Sequence, residues 1–156
     1  MKPKAFDYLK VASSAEAVEA LADGGDDARI IAGGMSLVPM LNFRLVEPQV
    51  LVDISKAESL NYIKAENGHV EVGASTRQCE LEHWDELGDK LPILKAAFPF
   101  LGHYQTRAKG TVCGSLAHAD PSSELPLCLA TLGGEVVLRS SKGERVVTAD
   151  DFQTGM

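Results

Sequence analysis

Two glycine-bearing loops constrain what this chain can fold into more than any other feature. The first covers residues 30–37 (IIAGGMSL) and the second covers residues 110–121 (GTVCGSLAHADP). In both, glycines accompany a hydroxyl residue where a predicted strand gives way to a helix or turn. Because glycine lets the main chain approach closely and adopt positive φ, such loops can present backbone N–H groups to an anion. Two of them in one small domain predict a diphosphate held from both sides, as in a dinucleotide cofactor.

Composition narrows the classes of fold and partner. With 156 residues, of which 45% are hydrophobic, the chain can bury the core of one or two compact units. Its net charge of −7 argues against nucleic acid and anionic membrane surfaces as partners. No apolar run has membrane-spanning length and no hydrophobic stretch follows the N-terminal lysines, so the predicted location is the cytoplasm.

The cysteines and histidines do not form a metal-binding pattern. Cys79, Cys113 and Cys128 are widely separated, and the histidines lack the spacing of metal ligands. The chain itself is therefore not expected to hold zinc or an iron–sulfur cluster. No motif places a nucleophile beside a base or pairs two carboxylates, so no catalytic side chain is predicted and any chemistry would be carried by a cofactor.

The first third of the chain has the pattern of an α/β unit. Ser13 and Glu16 fit a capping box that opens a helix, and Gly24-Gly25 fits its end. Residues 29–32 and 50–54 are apolar runs typical of buried parallel strands. The first loop follows one of these strands, at the edge where open α/β sheets bind ligands.

The residue pattern changes at residues 56–61, which predicts a boundary between an N-terminal subdomain, residues 1–57, and a second subdomain, residues 58–156. The second subdomain is predicted to contain, in order, a strand at 70–74, a helix with Thr76 as its N-cap, a helix at 92–101, a helix opened by Asp120-Pro121, and a hairpin of residues 135–139 and 144–148. The chain stops directly after this hairpin, which predicts a fragment or a sheet completed by a partner.

Several side chains near the second loop have two or more readings. For Arg107 and Lys109, the sequence allows a position facing a phosphate, a partner subunit or solvent. His118 and Asp120 form a catalytic pair, or His118 is structural and Asp120 caps a helix. Glu124 accepts a bond from a ribose hydroxyl, or it only stabilises a helix dipole.

Both loops resemble the flavin loops of one family. Residues 32–39 (AGGMSLVP), followed by Asn42-Phe43-Arg44, resemble the first flavin loop of the FAD-binding (medium) subunits of molybdenum hydroxylases of the carbon monoxide dehydrogenase and xanthine dehydrogenase type. Residues 106–126 resemble the second loop more closely still. The resemblance runs nearly end to end and covers the N-terminal portion of such subunits.

The resemblance implies an α+β fold of the vanillyl-alcohol-oxidase (PCMH) type, truncated because family subunits continue past the hairpin. A small N-terminal α/β subdomain would pack against a larger mixed-sheet subdomain, with FAD between them. The implied FAD-binding residues are Ile31, Ala32, Gly33, Gly34, Met35, Ser36, Leu37, Leu101, Thr111, Cys113, Gly114, Ser115 and Glu124. Cys113 and Met35 depart from the residues usual in the family, at positions where backbone donors would do the binding.

The resemblance also implies an electron-transfer role. A molybdopterin large subunit would oxidise the substrate, and the [2Fe–2S] clusters of a small iron–sulfur subunit would pass electrons to FAD on this chain and on to an external acceptor. The molybdenum cofactor and the clusters are expected only in those partner subunits. Two alternatives stay open, which are a truncated flavin-domain remnant with an assembly or interaction role and a stand-alone flavin oxidoreductase.

Overall fold

The computed structural model describes residues 1–154, and its N-terminal part is a parallel α/β unit. The elements of this part are β1 (Asp7–Lys10), α1 (Ser14–Gly24), β2 (Ala28–Ile31), α2 (Leu37–Asn42) and β3 (Val50–Asp53). The strands form one sheet in the order β1-β3-β2, with both pairs parallel. The central strand β3 is the most buried, and Val52 on it has no exposed surface. The two strands predicted at 29–32 and 50–54 are confirmed, the first displaced by one residue and the second one residue shorter.

The cap of α1 confirms Ser13 as the N-cap, whereas the reciprocal bond of the predicted capping box goes to the residue before it. The Ser13 hydroxyl accepts the N–H of Glu16 at 3.2 Å, and the Glu16 carboxylate accepts the N–H of Ala12 at 2.9 Å. At the other end Gly25 adopts φ 52° and donates its N–H to the carbonyl of Leu21, which is the left-handed stop predicted there. Helix α1 packs its Ala17 side against the sheet and forms the first hydrophobic core.

The second part is mainly helical and carries two separate antiparallel hairpins. Its elements are β4 (Ile63–Glu66), β5 (His69–Val72), α3 (Gln78–Glu82), α4 (Leu87–Lys90), α5 (Pro92–Ala97), α6 (Tyr104–Arg107), α7 (Val112–His118), α8 (Glu124–Thr131), β6 (Glu135–Ser140), β7 (Gly143–Thr148) and α9 (Ala149–Phe152). The larger core lies among these helices, with Leu81 and Leu87 at its centre. The β6–β7 hairpin confirms the predicted one, whereas β4 was missed by the sequence pattern.

Two predicted helix starts are wrong. Helix α3 follows Arg77 rather than Thr76, and the buried Thr76 hydroxyl bonds both the N–H and the carbonyl of Tyr62, each at 3.0 Å. Helix α8 follows Ser123 rather than Asp120, because the Asp120 carboxylate accepts the N–H and hydroxyl of Ser122 and closes a turn instead.

One predicted helix is shorter than expected. The helix predicted at 92–101 ends at Ala97 and continues as one tighter turn that contains Pro99, which has no N–H to donate.

A side-chain contact joins the two parts of the chain. Arg139 on β6 donates to the Ser14 hydroxyl at 2.7 Å and so ties the second hairpin to α1. No helix within residues 1–154 is both long and apolar enough to cross a bilayer.

Thr76→Val is expected to lower the free energy of unfolding by about 2 kcal/mol, because it removes the hydroxyl and leaves the N–H of Tyr62 without an acceptor within residues 1–154, while the Tyr62 carbonyl keeps the N–H of Gly73. Thr76→Ser keeps that hydroxyl and loses only a buried methyl group, so we expect a smaller loss of about 1 kcal/mol. Urea denaturation of the two variants measures the difference, and equal losses would contradict this role of the hydroxyl.

Candidate functional site

A cleft of about 450 Å³ lies where the two predicted subdomains meet. The first loop, the end of β3, the segment before α3 and the second loop all contribute to its wall. The residues that line it are Ala32, Gly33, Ser55, Ser75, Arg77, Ala108, Lys109 and Thr111. The two glycine-bearing loops, nearly eighty residues apart in sequence, therefore open onto the same cavity.

The two loops touch through their main chains at Gly33. A Cβ atom added to Gly33 would lie 2.7 Å from the Cα of Gly110 and 2.8 Å from the carbonyl carbon of Lys109. No side chain fits into that space, so this close approach requires glycine. Gly34 is needed for a different reason, because its φ of +70° is a conformation that other residues rarely adopt.

The first loop offers a run of unused donors. The backbone N–H groups of Gly33, Gly34, Met35 and Ser36 donate no hydrogen bond to any atom of residues 1–154. They follow the carboxyl end of β2 directly. Successive free amides in such a turn form a concavity suited to an anion, so the residues present fit a phosphate group of a cofactor.

The second loop is held in place by a short antiparallel pairing with the segment before α3. Gln78 donates its N–H to Gly110 at 2.8 Å, and Val112 donates its N–H to Thr76 at 3.1 Å. The buried Gln78 side chain also reaches the carbonyl of Thr111 at 3.4 Å. This pairing places Thr111 on the cleft wall, where its hydroxyl caps α7 by accepting the N–H of Gly114 at 3.0 Å.

The predicted site residues fall into two groups. Those in the two loops lie at or beside the cleft, and Ala32, Gly33 and Thr111 line it directly. Leu101 and Glu124 do not line it. The Leu101 side chain packs in the helical core, and Glu124 begins α8 next to Ser123.

Two residues of α7 connect the second loop to its surroundings through side chains that do not line the cleft. The Cys113 thiol contacts the carbonyls of Val72 and Gly73 at 3.5 and 3.8 Å, and burial raises its pKa to about 11. Ser115 shares a hydrogen bond of 3.2 Å with the hydroxyl of Ser123, which precedes α8. Cys113 could therefore serve a ligand only through its main chain.

The readings left open by the sequence are now separated. Arg107 forms an ion pair with Glu82 at 2.8 Å and donates to the carbonyls of Leu101 and Gly102, so it neither faces a phosphate nor points to solvent. Lys109 lines the cleft. The Asp120 carboxylate accepts the N–H and the hydroxyl of Ser122, and no hydrogen bond joins it to His118 within residues 1–154.

Sequence reasoning missed four of the lining residues, which are Ser55, Ser75, Arg77 and Ala108. Ser55 follows the carboxyl end of β3 as the first loop follows β2, so the rule for parallel sheets could have identified it. Ser75 and Arg77 reach the cleft only through the pairing of their segment with the second loop. No local pattern announces that contact.

Gly33→Ala is expected to lower the free energy of unfolding by about 2 kcal/mol, because the methyl group forces the two loops apart. Gly88→Ala is a matched control, since the added Cβ meets only the end of the flexible Lys95 side chain. Denaturant unfolding of both variants tests this contact. A Gly33→Ala variant as stable as Gly88→Ala would refute it.

Comparison with known proteins identifies the family of this chain. Residues 4–156 match the family described as FAD binding domain in molybdopterin dehydrogenase. The chain is 46% identical over 147 residues to the 6-hydroxypseudooxynicotine dehydrogenase complex subunit alpha of Paenarthrobacter nicotinovorans, covering 94% of this chain and 50% of that protein. It is 38% identical over 155 residues to the carbon monoxide dehydrogenase medium chain of Afipia carboxidovorans, covering 99% and 54%.

Solved structures agree. Quinoline 2-oxidoreductase from Pseudomonas putida 86 matches with a TM-score of 0.95 at 42% identity, over 99% of this chain and 54% of that one. A Cu,Mo-CO dehydrogenase matches with a TM-score of 0.93 at 38% identity, over 97% and 53%. The chain thus spans about half the length of the relatives it matches. These findings confirm the predicted fold class, the resemblance to the N-terminal portion of such subunits, and FAD as the cofactor of the family. The chain belongs to the FAD-binding domain family of the molybdopterin dehydrogenases.

Proposed function

We propose that this chain binds FAD, with the diphosphate in the cleft between the two glycine-bearing loops. The observation that carries the proposal is the run of four free amide donors at residues 33–36, held against the second loop by the main-chain contact at Gly33. Both loops bring donors to one cavity, as a ligand with two adjacent phosphate groups requires. The family of the chain supports FAD as that ligand.

Within this proposal the chain binds and orients the cofactor and does no proton transfer. FAD supplies the redox chemistry when bound. The free amides of the first loop, with those of Thr111 and Cys113, hold phosphate oxygens, since Val112 and Gly114 donate their N–H groups within the fold. Glu124 accepts a hydrogen bond from the adenosine portion. The proposed binding set is the one expected from the sequence, residues 31–37, Leu101, Thr111, Cys113 to Ser115 and Glu124, with Cys113 acting through its main chain.

The proposed role is that of an electron-transfer subunit of a molybdenum-dependent dehydrogenase in the cytoplasm. Electrons would reach FAD on this chain from [2Fe–2S] clusters of a small subunit, after oxidation of a substrate at a molybdopterin large subunit, and leave to an external acceptor. The names of the relatives, a complex subunit and a medium chain, support the multi-subunit setting. We also retain residues 1–57 and 58–156 as the two subdomains that would enclose the cofactor.

The visible absorption spectrum of the purified chain, before and after addition of FAD, tests the proposal. Flavin bands that persist through desalting are expected. A folded chain that stays colourless and ignores added FAD would favour the alternative, a flavin-domain remnant with an assembly or interaction role. The stand-alone oxidoreductase would additionally need a substrate-dependent reduction of the flavin without partner subunits.

Gly34→Val is expected to abolish FAD binding, because a valine disfavours the positive φ and its Cβ would lie 3.1 Å from the Val38 side chain, so the main chain that carries the free amides must shift. Gly68→Val is the matched control. Gly68 has a φ of +80° in the β4–β5 turn with open space around it, so its substitution causes similar backbone strain away from the cleft. Fluorescence titration with FAD should show binding in the control only, and full flavin occupancy in Gly34→Val would contradict the assignment.

Glu124→Ala is expected to weaken FAD binding by about 1 kcal/mol, roughly fivefold in Kd, through loss of a hydrogen bond to the adenosine portion. Because FMN lacks adenosine, its affinity should not change. Glu19→Ala, an exposed change on α1, serves as the charge control. Unchanged FAD affinity in the Glu124 variant would remove this role.

A further inference from the structure

The cleft has an electrostatic character opposite to that of the chain. The whole sequence carries a net charge of −7, yet the cleft wall contains two cations, Arg77 and Lys109, and no acidic side chain. The remaining lining residues are small or carry hydroxyl groups. A local positive charge on an acidic protein attracts an anionic ligand to that place.

Neither cation is used by the fold. The ion pairs among residues 1–154 involve Lys4, Lys90, Arg107 and Arg139. Arg107, two residues before Lys109, differs because it donates its hydrogen bonds to Glu82 and to two carbonyls. Arg77 and Lys109 are exposed and have no acidic partner in the described chain.

Both cations extend from main chain that is fixed on the cleft wall. Arg77 pairs with Thr111 in an isolated antiparallel bridge, and its N–H donates to the Glu80 carboxylate at 2.7 Å. The main chain of Lys109 packs against Gly33. The two charges therefore come from different segments that the fold holds at one cavity, while their side chains stay free to reach a ligand.

We infer that Arg77 and Lys109 are the counter-charges for the diphosphate and determine the preference of the cleft for a diphosphate ligand over an uncharged flavin. The inference rests on the proposed function and adds two residues to it. Free amides provide directed hydrogen bonds to phosphate oxygens, whereas the two cations provide charge that the amides lack. The contribution of such exposed cations is screened by salt.

The test is a titration of the full chain with FAD, ADP and riboflavin at low and high salt. Arg77→Gln and Lys109→Gln should each weaken FAD and ADP binding about fivefold at low salt, with a larger loss in the double variant. At 1 M salt, where the screening length is about 3 Å, the difference from the parent chain should nearly vanish. Riboflavin, which has no phosphate, should bind all variants alike.

Matched controls and charge-preserving variants keep the test decisive. Arg145→Gln and Lys142→Gln remove exposed cations of the β6–β7 hairpin that form no ion pair within residues 1–154, and they should leave every affinity unchanged. Arg77→Lys and Lys109→Arg should retain most of the FAD affinity. If the parent binds FAD and the cleft variants match the hairpin controls, the counter-charge role is overturned while the proposed function stands. If the parent binds neither FAD nor ADP, the proposed function fails and this inference fails with it.

Discussion

The contact between the main chains of Gly33 and Lys109–Gly110 is the constraint on which the rest of the site depends. Two loops from different parts of the chain meet there with no side chain between them. The contact sets how far apart the free amides of the first loop and the start of α7 lie, and it closes one side of the cleft. Backbone packed this tightly cannot shift without a cost in free energy, so the site is formed by the fold rather than by a ligand.

A second layer of interactions keeps the second loop in register with the helical core. The bridge between Arg77 and Thr111 is short, but the buried side chains on either side of Arg77 reinforce it. Thr76 bonds the carbonyl of Tyr62, and Gln78 bonds the carbonyl of Thr111. The Thr76 hydroxyl accepts the N–H of Tyr62, which has no other acceptor within residues 1–154, and both side chains add a hydrogen bond to a carbonyl that also accepts a main-chain N–H. The cleft wall is therefore supported from behind by polar groups whose partners are all internal, which leaves the groups in front available.

Local elements of structure could be predicted correctly from the sequence, and so could the family, which the two loop motifs indicated. The N-cap at Ser13 depends on residues three apart, and the buried strands depend on short apolar runs, so both could be predicted directly from the sequence. Thr76 and Asp120 are typical helix caps, yet a distant partner in one case and a neighbouring serine in the other took their oxygens. Arg77 illustrates the limit, because only a pairing with a segment more than thirty residues away brings it to the cleft.

The orientation of Cys113 has a consequence for a member of an FAD-binding family. Its backbone belongs to the second loop, but its thiol is turned toward β5, where burial raises its pKa to about 11 and disfavours the reactive thiolate at neutral pH. Peroxide formed by leakage of electrons to oxygen attacks thiolates and not thiols. The Cys113 thiol is thus protected from oxidation by its burial, which keeps sulfenic acid from forming readily on the second loop beside a redox cofactor.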